Sequence, residues 1–142
     1  MTSAGYSGTP LAKKLGIAAG LRVAAIDPPG DYRALLSPWP EGAGLDARPG
    51  ASTGLVHLFV RERAVLERET TRLRKLLGDD AVLWVSWPKK ASGVATEITE
   101  DGIRELVLPL GWVDVKVCAV DAVWSGLKLV VRRELREGAR RR

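Results

Sequence analysis

The chain has 142 residues, of which 46% are hydrophobic and 27% charged, as is typical of one globular domain with a packed core. No apolar stretch approaches the roughly 20 residues that a membrane helix needs, so we expect a soluble, cytoplasmic protein. Cys118 is the only cysteine, which excludes a disulfide or a cysteine-based metal site within one chain.

The net charge of +5 is concentrated at the C-terminus. Six arginines and two glutamates give residues 132–142 a charge of +4, and the rest of the chain is nearly neutral. We therefore expect a single domain over residues 1–134 and a basic tail over 135–142. Such a tail is either a solvated terminus or an arm that makes at most weak, nonspecific contact with nucleic acid.

Strand and helix patterns alternate in the first part of the chain. An apolar run ended by Pro28 and Pro29 is typical of a buried strand, whereas the stretch over 37–54 is rich in turn-forming residues. The predicted elements before residue 55 are a helix over 10–16 capped by Ser7 or Thr9, a strand over 21–27, a helix over 31–36 and at most a short edge strand near 45–48.

The same alternation continues to the end of the chain. Leu66, Leu73 and Leu77 fall on one face of the clearest helical pattern, which Gly78 ends. The predicted elements after residue 54 are strands over 55–60 and 81–87, a helix over 61–78, a helix capped by Thr99, and two strands over 112–121 and 126–134 joined by a tight turn.

This order of elements predicts an α/β fold of reduced Rossmann-like type. Its sheet is mostly parallel, is covered by helices on both faces and ends in a C-terminal antiparallel hairpin. Open sheets of this class bind ligands outside the carboxyl ends of their strands. The loops after residues 27, 60, 87 and 121 are therefore where we expect a functional site.

The sequence resembles two known families. The stretch LGIAAGLRVAAID at residues 15–27, with the terminal hairpin, resembles class I S-adenosylmethionine-dependent methyltransferases. The stretches YSGTPLAKKLGI, VSWPKKASGVATEITED and VDVKVCAVDAVWSGLKLV together resemble the bacterial, largely actinobacterial, domain of unknown function 3052 family over nearly the whole chain. The second resemblance implies kinship without implying a particular chemistry.

The chain departs from the methyltransferase pattern at the loop after the first strand. The resemblance implies a glycine-rich loop there, because glycine lets the backbone approach a cofactor closely. This chain instead has Pro28 and Pro29, which lack N–H donors and have fixed φ angles. The resemblance also implies two further strands after this loop, one of which carries an acidic residue that binds the ribose hydroxyls of the cofactor. The stretch over 37–54 is too short for both strands, so Asp46 is either a remnant of that acidic residue or a turn residue. These features favour a methyltransferase-like fold without its cofactor site.

Polar residues also follow the predicted strand over residues 81–87. Lys89, Lys90 and Ser92 combine two ammonium groups with a hydroxyl in a loop that contains Gly93. Such groups at the ligand edge of a sheet suit a phosphate or carboxylate. Alternatively, the two lysines are solvated loop residues. The order of glycine, lysine and serine does not match a Walker loop.

Aromatic and acidic residues occupy the neighbouring loops. Trp124 falls in the predicted tight turn after Asp121, where a large aromatic side chain must either fold back on the protein or stack on a ligand. His57 is the only histidine and lies within a strand, so we expect a buried, hydrogen-bonded core residue. Cys118 is expected to act as a small buried hydrophobic residue and not as a nucleophile.

The sequence thus favours a non-catalytic or regulatory binding module for a small anionic ligand or a partner protein. Two alternatives remain open: a minimal methyltransferase-like enzyme, and a nucleic-acid accessory protein that acts through the arginine tail. We predict no metal site, and the sequence specifies no cofactor. The predicted ligand-binding residues are Lys89, Lys90, Ser92, Asp27, Asp31, Tyr32, Asp121 and Trp124.

Overall fold

The structure is a computed structural model and describes residues 9–136. This part of the chain folds as a six-stranded sheet with helices on both faces. The strands are β1 (Arg22–Ile26), β2 (Gly44–Asp46), β3 (Leu55–Phe59), β4 (Val82–Pro88), β5 (Trp112–Ala119) and β6 (Trp124–Val131). The helices are α1 (Leu11–Leu15), α2 (Tyr32–Leu35), α3 (Arg63–Leu76) and α4 (Glu100–Val107).

The strand order across the sheet is β2, β1, β3, β4, β6, β5. Strands β1 to β4 pair in parallel, β6 runs antiparallel to β4, and β5 runs antiparallel to β6. The predicted Rossmann-like sheet with its C-terminal hairpin is therefore confirmed. The carboxyl ends of β1, β3 and β4 lie at one edge, and β3 separates the other two.

The sheet is the centre of the core. Every residue of β3 is buried because helices cover both of its faces. The face toward α3 and α4 carries a large apolar cluster that includes Leu58, Leu66 and Leu83. The face toward α1 and α2 carries a second cluster that includes Leu15, Phe59 and Trp84. The two clusters hold the strand ends, and hence their loops, in a fixed relative position.

Helix α3 has the amphipathic pattern that the sequence predicts. Leu66 and Leu73 are fully buried, and the buried Thr70 hydroxyl donates to the Leu66 carbonyl oxygen at 2.7 Å. The helix begins at Arg63 and not at residue 61, because Glu62 has extended backbone angles of φ −117° and ψ 136°. Arg61 consequently lies in the loop after β3. This loop is at the sheet edge formed by the carboxyl ends of β1, β3 and β4, which we call the ligand edge.

Three predicted details differ in the structure. Pro10 precedes α1 instead of opening it, and no side chain caps this helix; Ser7 lies outside the described residues. Strand β2 spans Gly44–Asp46 and not residues 45–48. Strand β6 begins at Trp124, two residues earlier than predicted, because the Asp121 carboxylate accepts the Val123 and Trp124 amide protons and closes the turn early.

The start of α4 matches its sequence signature. The Thr99 hydroxyl accepts the Gly102 amide proton at 3.0 Å, which satisfies a donor that the first turn leaves unpaired. We predict that Thr99→Ala lowers the free energy of unfolding by about 1 kcal/mol, as for loss of other N-caps. Urea denaturation measures the change, and Thr99→Ser should retain most of the stability. Equal stability of the alanine and serine variants would contradict this role.

Only the beginning of the predicted basic tail lies within the described residues. Leu135 packs against the core cluster on the α3 face. The Arg136 Nε group donates to the Val131 carbonyl oxygen at 3.1 Å. No helix formed by residues 9–136 is long and apolar enough to cross a membrane.

Candidate functional site

A cleft of about 470 Å³ lies at the ligand edge, over the ends of β1 and β3. Its polar lining includes Asp27 from the loop after β1, and Arg61 and Glu62 from the loop after β3. The segment over residues 95–97 forms the opposite wall. A smaller pocket of about 180 Å³ shares Asp27 and Arg61 and extends toward Trp124. We call the two together the edge cleft.

The loop after β1 has an unusual backbone. Asp27 adopts a left-handed φ of 55°, a conformation that aspartate tolerates better than most residues other than glycine. The Asp31 carboxylate caps α2 by accepting the Arg33 and Ala34 amide protons at 3.0 and 3.3 Å. The two prolines of the loop have no amide protons, so the loop offers few donors to a ligand.

Arg61 joins the two sides of the edge cleft. Its carbonyl oxygen accepts the Glu97 amide proton at 2.8 Å and the Thr96 hydroxyl proton at 3.1 Å. The Glu97 carboxylate in turn accepts the Arg63 amide proton at 2.8 Å. These bonds hold the segment over 95–97 across the end of β3. The exposed Arg61 guanidinium forms no ion pair with any residue from 9 to 136.

Aromatic rings form the inner side of the cleft. The Phe59 ring meets Trp124 edge-on, with centroids 5.2 Å apart. On its other side, Phe59 stacks on the His57 imidazole at 4.1 Å. Trp124 is half-buried and therefore both packs on Phe59 and presents part of its ring to the cleft. The two roles that the sequence left open for Trp124 are compatible in this geometry.

A buried hydrogen-bonded chain lies behind these rings. The His57 Nδ1 atom is 2.7 Å from the Tyr32 hydroxyl, and Nε2 is 2.6 Å from the Ser86 hydroxyl. Burial lowers the pKa of His57 to about 3 and raises the pKa of Tyr32, because both charged forms lose hydration. The imidazole is thus neutral near pH 7, and the predicted buried, hydrogen-bonded core histidine is confirmed.

The loop after β4 forms a separate groove of about 640 Å³. Lys90 lines this groove together with Trp87 and Thr99, whereas the Lys89 amide donates to the Val123 carbonyl oxygen at 2.7 Å. The Ser92 hydroxyl donates to the Lys89 carbonyl oxygen at 2.6 Å and accepts the Val94 amide proton at 3.2 Å. Ser92 therefore shapes the loop, and the groove meets the edge cleft at residues 95–96.

The structure brings together only part of the predicted site. Asp27 and Trp124 line the edge cleft, while Lys90 lines the adjacent groove. Parallel strands end at the same edge of a sheet, which predicts that the lysine loop lies beside Asp27. This is wrong, because β3 lies between β1 and β4 and brings Arg61 to that place instead. Three predicted residues have structural bonds: Asp31 caps α2, Asp121 closes the hairpin turn, and the Tyr32 hydroxyl contacts buried His57.

Several lining residues were absent from the predicted site. Phe59, Arg61 and Glu62 occupy the end of β3 and the loop after it. The rule that places ligands at strand ends already pointed to the loop after residue 60, and Arg61 is its first residue. The wall over 95–97 had no such signal, since its bonds to Arg61 join positions more than 30 residues apart.

Other reactive side chains do not line the edge cleft. Cys118 is only partly buried, less than the sequence predicts, and this partial burial raises the pKa of its thiol. Asp46 forms an ion pair with Arg22 at the start of β1. Within residues 9–136, no three histidine, cysteine, aspartate or glutamate side chains gather in a group that could hold a metal ion.

Known structures resemble this arrangement of strands. A SAM-dependent methyltransferase from Aquifex aeolicus superposes with a TM-score of 0.64 at 12% identity, covering 85% of this chain and 87% of that one. Magnesium protoporphyrin IX methyltransferase from Synechocystis, with bound SAH, gives a TM-score of 0.56 at 13% identity over 85% of this chain and 78% of that one.

A protein of the NADB-Rossmann superfamily from Streptococcus agalactiae covers 92% of this chain and 70% of its own length, with a TM-score of 0.53 at 9% identity. No family model matches the chain, and no curated protein sequence matches it. Sequence identities this low show the fold alone. The described chain therefore has the Rossmann-like fold of class I methyltransferases, with the edge cleft where open α/β sheets bind their ligands.

Proposed function

We propose that the protein is a small-molecule-binding module, related to the domain of unknown function 3052 family, whose ligand occupies the edge cleft. The observation that carries this proposal is the cleft itself, about 470 Å³ over the ends of β1 and β3. Its size lies within the range of ordinary ligand sites, and it lies where open α/β sheets bind ligands. The non-glycine left-handed Asp27 supports the same location, since backbone strain clusters at functional sites.

The charges around the cleft support a particular kind of ligand. The Arg61 guanidinium and, across residues 95–96, the Lys90 ammonium are the cations that would hold an anionic group such as a phosphate or carboxylate. Asp27 and Glu62 would accept protons from hydroxyl or amino groups on the same ligand. We therefore favour a polar ligand with one anionic end, with Lys89 adding positive charge at that end.

We predict that Arg61→Ala removes most of the ligand affinity without unfolding the protein. Loss of a charged hydrogen bond weakens binding roughly tenfold or more, whereas an exposed side chain contributes within about 0.5 kcal/mol to folding. The measurement is a thermal-shift screen of nucleotides, adenosyl compounds and acyl phosphates, because a ligand that binds the folded state raises its melting temperature. Lys89→Ala with Lys90→Ala should reduce the shift given by anionic compounds.

Arg68→Ala provides the matched control, since it removes an exposed arginine of α3 that does not line the cleft. It should leave both the melting temperature and the ligand shift unchanged. A ligand that shifts the parent and the Arg61→Ala variant equally would show that the site lies elsewhere.

A minimal methyltransferase-like enzyme is the second candidate function, and the methyltransferase fold favours it. We nevertheless predict that S-adenosylmethionine does not bind measurably, because Pro28 and Pro29 lack donors and Asp31 occupies two amides of α2. Calorimetric titration distinguishes the two functions. A micromolar dissociation constant that weakens in Asp27→Asn would favour the enzyme.

A further inference from the structure

Two lysines face each other on the last strand pair. Lys116 of β5 lies directly opposite Lys128 of β6. Opposed side chains of an antiparallel pair have Cβ atoms about 5 Å apart, and like charges at that distance destabilise the sheet. A pair of this kind costs stability unless an anion lies beside it.

A third lysine lies close to this pair. Cys118 packs on the α1 face of the sheet, and Lys116, two residues away on the same strand, shares that face. Lys14 lies on α1 next to Leu15, which packs in the same apolar cluster as Cys118. The positive charges of Lys14 and Lys116 also act to lower the pKa of the Cys118 thiol, against the effect of burial. We call Lys14, Lys116 and Lys128 the lysine patch.

The charges of the lysine patch are not neutralised by ion pairs within the described residues. None of the ion pairs within residues 9–136 includes any of its three lysines. Outside that range, the sequence contains a single acidic side chain, Glu137. The patch is thus a surface with three positive charges and no ion-pair partner among the described residues.

The setting of the patch favours a long polyanion over a small ligand. Its lysines line neither the edge cleft nor the adjacent groove, whereas small-molecule sites are concave. Exposed Val117 alternates with Lys116 and faces the other side of the sheet, so it does not supply the apolar anchor typical of membrane-binding surfaces. A nucleic-acid backbone presents closely spaced phosphates, which cationic side chains can bind without an apolar anchor.

We propose that the lysine patch binds the phosphate backbone of nucleic acid without reading its sequence. This activity goes beyond the small-molecule site and differs from the arginine-tail hypothesis, because its cations belong to the folded sheet. Phosphates beside Lys116 and Lys128 would relieve the repulsion between them. Binding should weaken steeply with salt, since each neutralised phosphate releases counterions.

The test uses the full chain and a fluorescent DNA duplex of mixed sequence, with anisotropy measured between about 50 and 200 mM salt. Lys116→Ser with Lys128→Ser should weaken binding roughly tenfold at low salt and reduce the salt slope by about 2. The double variant should be at least as stable as the parent, because the like-charge pair is gone. Arg68→Ser with Lys75→Ser removes the same charge from exposed positions on α3 and should have little effect.

A truncated variant that ends at Arg136 distinguishes the lysine patch from the basic tail, because it keeps the patch and lacks residues 137–142. It should retain binding that still depends on Lys116 and Lys128. The proposal is overturned if the parent fails to bind the duplex, if the α3 control loses as much affinity as the patch variant, or if truncation alone abolishes binding. Patch-dependent binding to phosphatidylserine vesicles without binding to DNA would also overturn it and assign the patch to a membrane surface.

Discussion

Lowering the pH from about 7 to about 4 should reduce the free energy of unfolding by roughly 3 kcal/mol more in the parent protein than in a His57→Gln variant. The unfolded chain protonates its histidine below a pKa of about 6.5, whereas burial holds the pKa of His57 in the folded protein at about 3. Between these values the unfolded state binds the extra proton. The contribution of His57 to stability is therefore complete above about pH 6.5 and is lost as the pH falls from about 6.5 toward about 3.

The variant isolates this effect because carboxylates titrate in both proteins. The Arg104 guanidinium lowers the pKa of Asp114, for example, and that contribution to acid sensitivity is common to both. A second measurement does not depend on the variant: His57 is the only histidine, so its ring resonances are unambiguous by NMR. We expect the His57 ring of the folded protein to remain essentially unprotonated between about pH 7 and 4. A ring that titrates near pH 6.5 in the folded state would contradict the buried chain of hydrogen bonds.

Trp84→Ala should destabilise the protein by about 3 to 5 kcal/mol, the largest loss that we predict for a single substitution. Trp84 has no exposed surface, and its ring is part of the cluster between the sheet and α1. Its indole N–H donates to the Leu15 carbonyl oxygen at 2.9 Å, which ties the end of α1 to β4. Removal of the side chain therefore leaves a large cavity and an unpaired carbonyl.

Two further tryptophan variants show which part of this loss comes from packing. Trp84→Phe keeps much of the volume but loses the hydrogen bond, so we expect a loss of about 1 to 2 kcal/mol. Trp39→Ala removes a half-buried tryptophan whose indole N–H donates to Ala43, and it should cost less than Trp84→Ala. Urea denaturation monitored by circular dichroism measures all three. Equal losses for Trp84→Ala and Trp39→Ala would contradict the central role of Trp84.

The main elements were predictable because their periodicity is local. The apolar run of β3 and the repeating leucines of α3 follow from patterns within a few residues, and the Thr99 cap has its own short signature. The boundary of β6 was misplaced because a side-chain bond from Asp121 closes the turn, and the pattern of apolar residues does not report such a bond.

The site was less predictable because it depends on which strands are neighbours. The sequence indicates that the loops after β1, β3 and β4 share one edge, but their order across the sheet decides which side chains meet. Arg61 and Asp27 line the same cleft because β3 pairs directly with β1. The chain of bonds from Tyr32 through His57 to Ser86 joins residues 25 and 29 positions apart, and no local pattern predicts such a contact.

The most direct test of the edge cleft as the ligand site is a two-dimensional NMR titration of the isotope-labelled full chain. The probes are nucleotides, adenosyl compounds and acyl phosphates, and the indole N–H of Trp124 provides a side-chain reporter at the cleft. We predict that a binding compound shifts the amide resonances of residues 27, 30–31, 61–62 and 95–97, together with the Trp124 indole signal. Shifts confined to other surfaces, or a bound ligand that leaves the Arg61 amide and the Trp124 indole unchanged, would contradict the proposal.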